Sequence, residues 1–264
     1  MIARMTERSA NVRELLLPKE HGSWSLAFEP VALGLLVAPS VAGGALALAA
    51  AAGFFLRRPL KLAITTPPDD PRRRPARRWA AVLLSGAGLA LAGAAALGSA
   101  RALWPLALAA PCGLLFLWFD LRQAMREAEA ELAGSMAFAL LPAAFATLAG
   151  WPGPAALALA VVMLARSVPT VLTVRTFLRL GKGWDADPLP TLTVSGLGFI
   201  LVALVTWRQL APTAALLVNG LLLLRTLWLV STLRPHWPAR HVGILEAVLG
   251  VIHLGVLTAA YHCG

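Results

Sequence analysis

Cysteine, tyrosine and negative charge are all scarce in this sequence: two cysteines, one tyrosine and 13 acidic side chains among 264 residues. Cys112 and Cys263 stand far apart without metal-type spacing, which excludes a thiolate metal cluster and leaves both as inert thiols. Charge of either sign is thin, at 14% of the chain against roughly a quarter in a soluble domain. Polar stretches long enough for a soluble domain are missing. The first apolar run leads into no small-residue cleavage site, so a retained span is expected there, not a signal peptide.

What the chain does have is apolar length. It is 58% hydrophobic with a mean hydropathy of +0.73, the composition of an integral membrane protein. Nine apolar stretches are read at 23–38, 41–56, 79–98, 102–119, 132–150, 153–174, 189–207, 212–231 and 242–261. At about 20 residues per bilayer crossing they use about 180 residues. The expected architecture is all-α and polytopic, with about nine transmembrane helices. Residues 1–22 form a cytoplasmic N-terminal segment and 23–264 a single transmembrane domain. Pro39 to Gly44 suggests a tight hairpin between the first two spans. Gly86, Gly93 and Gly98 suggest close helix packing in the third.

The net charge of +10 invites nucleic-acid binding, but its distribution argues against it. Nineteen of the 23 basic residues fall in alternate links, while the other links hold only Arg101 and Arg208. Such a bias over short loops is the positive-inside signature and predicts the bacterial inner membrane, N-terminus cytoplasmic and C-terminus outside. The carboxylates fall on the same inner side, although topology signals say little about Asp and Glu. Pairing with the arginines explains that as well as a polar cavity open to the cytoplasm does.

Four ionisable residues lie within apolar spans: Glu29, Arg166, Arg225 and Glu246. Each costs about 2.5–3.5 kcal/mol at a helix centre, so such groups turn toward a partner or an interior cavity. Glu29 and Glu246 sit at similar depths. Val242, Glu246, Leu249 and His253 share one helix face, so a polar stripe enters the last span. Two polar groups containing histidine are expected on the inner side: Lys19-Glu20-His21 before the first span and His236, Arg240, His241 before the ninth. Histidine titrates near neutral pH, so His21 suits proton transfer or phosphate contact as well as a solvated position. No HxxxH spacing preorganises a metal site. The link Asp120–Glu131 reads as an amphipathic connector containing Arg126. In span six, Pro169 frees carbonyls that Thr170 and Thr173 can occupy. With Arg175, Arg179 and Lys182 this makes a candidate anion-binding wall, for which lipid headgroups are the bland occupant.

Pro18-Lys19-Glu20-His21-Gly22-Ser23-Trp24 with Glu29-Pro30 resembles the N-terminal signature of the YwiC-like family of bacterial integral membrane proteins. Arg57-Arg58-Pro59-Leu60 and Arg240-His241-Val242-Gly243 with Glu246 are similar to later stretches of that family. In layout alone, nine helices with long inner links after spans two and six resemble the UbiA prenyltransferase superfamily. That resemblance implies acidic motifs holding magnesium and a diphosphate. Asp69-Asp70 and Asp185-Ala186-Asp187 occupy those links but depart from the NDxxD and DxxxD spacings, so magnesium enters only if that chemistry holds.

The leading expectation is an inner-facing polar cavity for an anionic amphiphile, an isoprenoid or lipid phosphate, among membrane lipids and without nucleic acid. Arg57, Arg58, Arg166 and Arg175 hold the anion, with Lys19, Glu20, Arg126, Arg240 and His241 as further binding residues. His21, Glu29 and Glu246 handle protons or position the ligand in any catalysis. The alternatives are a proton-coupled transporter or exporter using Glu29, Glu246 and Arg225, and a non-catalytic assembly factor. A transporter requires polar groups through the outer half, where His253 and Asn219 are the few candidates.

Overall fold

A computed structural model describes residues 22–122 and 127–263. Among the described residues the regular structure is entirely helical. Helices α1 (Gly22–Val37), α2 (Val41–Thr65), α3 (Arg73–Leu97) and α4 (Leu106–Leu121) are followed by α5 (Ala128–Ala139), α6 (Leu141–Leu148), α7 (Gly153–Gly181), α8 (Leu189–Trp207), α9 (Thr213–Val230) and α10 (Ala239–Cys263). Each of the nine expected apolar stretches becomes helix, the fifth in two pieces. Among the described residues, seven elements are long and apolar enough to cross a membrane, with α5 and α6 counted together. The 16-residue α1 and α4 are shorter. The chain is a multi-pass membrane protein.

Several boundaries differ from the sequence reading: α4 starts late, at Leu106, and the larger shifts are extensions into the basic links. Helix α2 runs through Arg57, Arg58, Pro59 and Lys61 to Thr65; α3 begins at Arg73; α7 continues to Gly181. Residues expected in links therefore sit on helical turns. Long cationic side chains are good helix formers whose stems lie on apolar surface while their heads reach water.

Turns are set by local chemistry. Ser40 caps α2 by accepting the Gly43 amide at 2.9 Å, closing the expected hairpin after Pro39. Pro142 lacks the amide that would continue the ladder, and the fifth span breaks at Leu140. Of Gly86, Gly93 and Gly98, only Gly98, which caps the end of α3, is tightly packed: a Cβ there would lie 2.8 Å from Leu148 Cδ2 and 3.1 Å from Ala42 Cβ, whereas Gly86 faces open space.

Contacts at helix ends sort the links into two poles. At one, Arg57 and Lys61 bond Asp120, Arg175 bonds Glu131, and Arg234 reaches the Leu180 carbonyl. At the other, Thr147 donates to the Ala102 carbonyl and Trp151 packs on Tyr261. We call these the charged pole and the opposite pole. Helix α7 lies at the centre: 61% of its most apolar window is buried, against 11% for the peripheral α3. It packs against α5, α6, α8 and α9 and, less extensively, α10. Leu33, Val37, Leu159, Val162, Met163 and Leu257 make one core among these helices toward the opposite pole.

Candidate functional site

Four helices each bring one charge to the same level in this core. Arg166 on α7, 2% exposed, places Nη1 3.2 Å from Glu246 Oε2 on α10 and donates from Nη2 to the Glu246 carbonyl at 2.8 Å. Arg225 on α9 reaches the same Oε2 at 3.2 Å. Glu29 on α1 lies 3.4 Å from Arg166 Nε, an ion-pair distance without hydrogen-bond alignment. Thr170 joins the two guanidiniums, accepting from Arg166 Nη1 and Arg225 Nη2 at 3.0 Å each and donating to the Arg166 carbonyl. Ser25 Oγ donates to Glu29 Oε1.

Two arginines and two glutamates balance, which is what allows four charges to sit in an apolar interior. Local sequence explains the convergence. Ser25 and Glu29 are one turn apart on α1, as are Arg166 and Thr170 on α7. On α10, Gly250 follows Glu246 by one turn, and Glu29 fills the space its missing side chain leaves: a Cβ there would lie 2.6 Å from Glu29 Cδ. The expected stripe on α10 is real, with Val242, Glu246, Leu249 and His253 all buried. Thr173 bonds both the Pro169 carbonyl and Thr226 of α9, and Thr176 bonds Thr191 of α8, so α7 carries hydroxyls from the network to the charged pole.

The network is not fully satisfied. Among the described residues, Arg225 Nε and Nη1, Glu246 Oε1 and both ring nitrogens of His253 are buried without a hydrogen-bond partner. So are the Thr206, Thr258 and Tyr261 hydroxyls toward the opposite pole. Buried polar groups are normally bonded, so this concentration of exceptions marks the region around α10.

The other expected site residues are distributed differently. Arg57 donates to Asp120 Oδ2 at 2.8 Å and lies over the Phe116 ring; Arg58 follows it on α2; Arg175 pairs with Glu131 at 2.9 Å. These lie at the charged pole, Arg175 nine residues beyond Arg166 on one helix, or about 13 Å along its axis. Arg240 and His241 are exposed at the start of α10. Lys19, Glu20, His21 and Arg126 lie outside the described residues. The structure thus joins Glu29, Arg166, Arg225 and Glu246, and separates them from Arg57, Arg175, Arg240 and His241. Asp70, in the link expected to hold a metal under the UbiA resemblance, pairs with Arg72 at 2.7 Å; that guanidinium holds its carboxyl below the usual range. Sequence reasoning missed Ser25 and Gly250, although a small residue one turn from a buried acid was a readable signal.

The family model described as YwiC-like protein matches residues 17–146, just under half of the chain. That span takes in the Pro18–Trp24 run, Glu29 and Arg57–Leu60. Searches of curated proteins and of solved structures found no match.

Proposed function

From a multi-pass membrane protein whose residues 17–146 match the YwiC-like family, we propose proton-coupled binding and movement of an anion, with Glu29, Arg166, Arg225 and Glu246 as the coupling centre. The observation that carries this reading is the sharing of one Glu246 oxygen by two buried arginines. Protonating Glu246 removes one of two negative charges and leaves a guanidinium uncompensated, an arrangement that costs about 3–5 kcal/mol in a buried site. Arg225 Nε and Nη1 have no hydrogen-bond partner among the described residues, so an incoming anion finds donors there and restores neutrality. Proton and anion then favour each other's binding by the same factor, as linkage requires.

The anionic amphiphile remains the cargo class best suited to this arrangement. Cationic side chains dominate the charged pole, where Lys61 and Arg175 are each 29% exposed. An isoprenoid or lipid phosphate meets these cations first, with its chain in the bilayer, before its charge moves along α7 to Arg225. On the positive-inside argument this pole is cytoplasmic.

Thermal unfolding of the purified protein tests the linkage with chloride, phosphate and farnesyl phosphate at pH 5.5 and 7.5. At least one anion is expected to stabilise more at the lower pH, and Glu246→Gln is expected to abolish that pH difference. Absence of any anion effect at either pH overturns the reading.

A further inference from the structure

We propose that His253 is a second proton station, and that it opens a hydrogen-bonded lane along α10 from the charge network to the opposite pole. The proposal rests on the reading of the network as proton-handling, but on different atoms. His253 is 1% exposed, and neither ring nitrogen has a partner among the described residues. A histidine serving only as packing would bond at least one, because a buried unsatisfied polar group costs about 1–3 kcal/mol.

Its place in the fold gives those nitrogens a use. Glu29 occupies the slot over Gly250, and Gly250 precedes His253 by three residues, about 4.5 Å along the helix. Glu246, Gly250, His253, Leu257 and Tyr261 follow one face at i+4, i+7, i+11 and i+15. The order along α10 is therefore Glu246, then the Glu29 carboxylate, then His253. Beyond His253 come the buried Thr258 and Tyr261 hydroxyls, with that of Thr206 near the end of α8. Tyr261 packs its ring 5.5 Å from that of Trp151 in the turn at the opposite pole. His253 to Tyr261 is about 12 Å of axial rise, too far for direct contact, and the buried Leu257 lies between them on the same face. The lane therefore requires a short file of water that passes Leu257 and bonds these hydroxyls.

The charged groups facing this lane are Glu29 from α1, Arg166 from α7, Arg225 from α9 and Glu246 from α10 itself. The transfer balances without another reactant. A protonated Glu29 carboxyl passes its proton through a bridging water to one ring nitrogen, and the other nitrogen releases its proton to water on the Tyr261 side. Ring reorientation then restores the starting tautomer.

The test uses the full chain in lipid bilayers with nitrogen-15 labelled histidine, observed by solid-state NMR and with the His253 signals assigned by their loss in His253→Gln. Magnetisation transfer from water to the His253 ring nitrogens is expected, together with a changed tautomer ratio in Glu29→Gln and weakened transfer in Tyr261→Phe. A ring that receives no transfer from water, or whose tautomer ratio is the same in Glu29→Gln, overturns the lane. The anion linkage is measured separately by thermal unfolding, so it survives that result if it is correct. Conversely, a failed anion linkage with an intact lane removes the cargo reading alone.

Discussion

Glu246 bonds two guanidiniums through one oxygen while its other oxygen has no partner among the described residues, so its charge sets the balance of everything around it. Glu246→Gln is expected to destabilise the protein by about 3–5 kcal/mol, the usual cost of breaking a buried pair from one side. Glu246→Met combined with Arg225→Met leaves Arg166 opposite Glu29 and is expected to recover most of that loss, as read by thermal unfolding. Gly250 gives an opposite-sign check. Helix propensity alone predicts that Gly250→Ala stabilises α10 by up to about 1 kcal/mol. Collision with the Glu29 carboxylate predicts instead a loss of about 1–3 kcal/mol, and unfolding midpoints decide between them. The four charges and the α10 stripe were legible in the sequence because an ionisable residue inside an apolar run is rare. Their pairing was not legible, since nothing in one chain states which helices are neighbours.

Among the elements, α7 shares the deepest burial with α5 and α6 and carries a run of hydroxyls, of which Thr170 and Thr173 donate to the Arg166 and Pro169 carbonyls of its own helix. The fifth span was not legible as two helices. Hydropathy over 132–150 is continuous, and Pro142 reads equally as a kink or a stop. The break matters because α6 presents Phe145 to α1, where a Cβ on Gly34 would lie 2.5 Å from the ring. Gly34→Leu is expected to force α1 away from α6 and cost about 1–3 kcal/mol; a smaller change in unfolding midpoint argues that α1 shifts freely. At the charged pole, Asp120→Asn weakens the ties from Arg57 and Lys61 to α4. A loss of about 1.5–3 kcal/mol is expected, reduced in high salt because both cations are partly exposed.

For the whole molecule, polarity is the most readable property and hydropathy the reason. Apolar runs locate helices; charge counts locate poles; boundaries slip wherever arginine-rich turns extend a helix beyond its apolar part, as at Arg57–Lys61 and Arg73–Arg78. Orientation has a direct check in the exposed Cys263. In intact cells a membrane-impermeant maleimide is expected to label Cys263, while a cysteine placed at Asp187 is expected to react only after the membrane is opened. The reverse pattern inverts the topology and puts the arginine-rich pole outside.

The balancing acids come from α1 and α10, the first and last of the described helices, whereas Arg166 emerges between them during synthesis. Until α10 enters the bilayer, both arginines lack Glu246, and with Glu29 alone to balance them a ribosome-bound intermediate carries one uncompensated cation in oil. Late arrival of α10 therefore delays neutralisation of the network: chains stopped after about residue 236 should be held as unassembled and become preferred prey for membrane proteases.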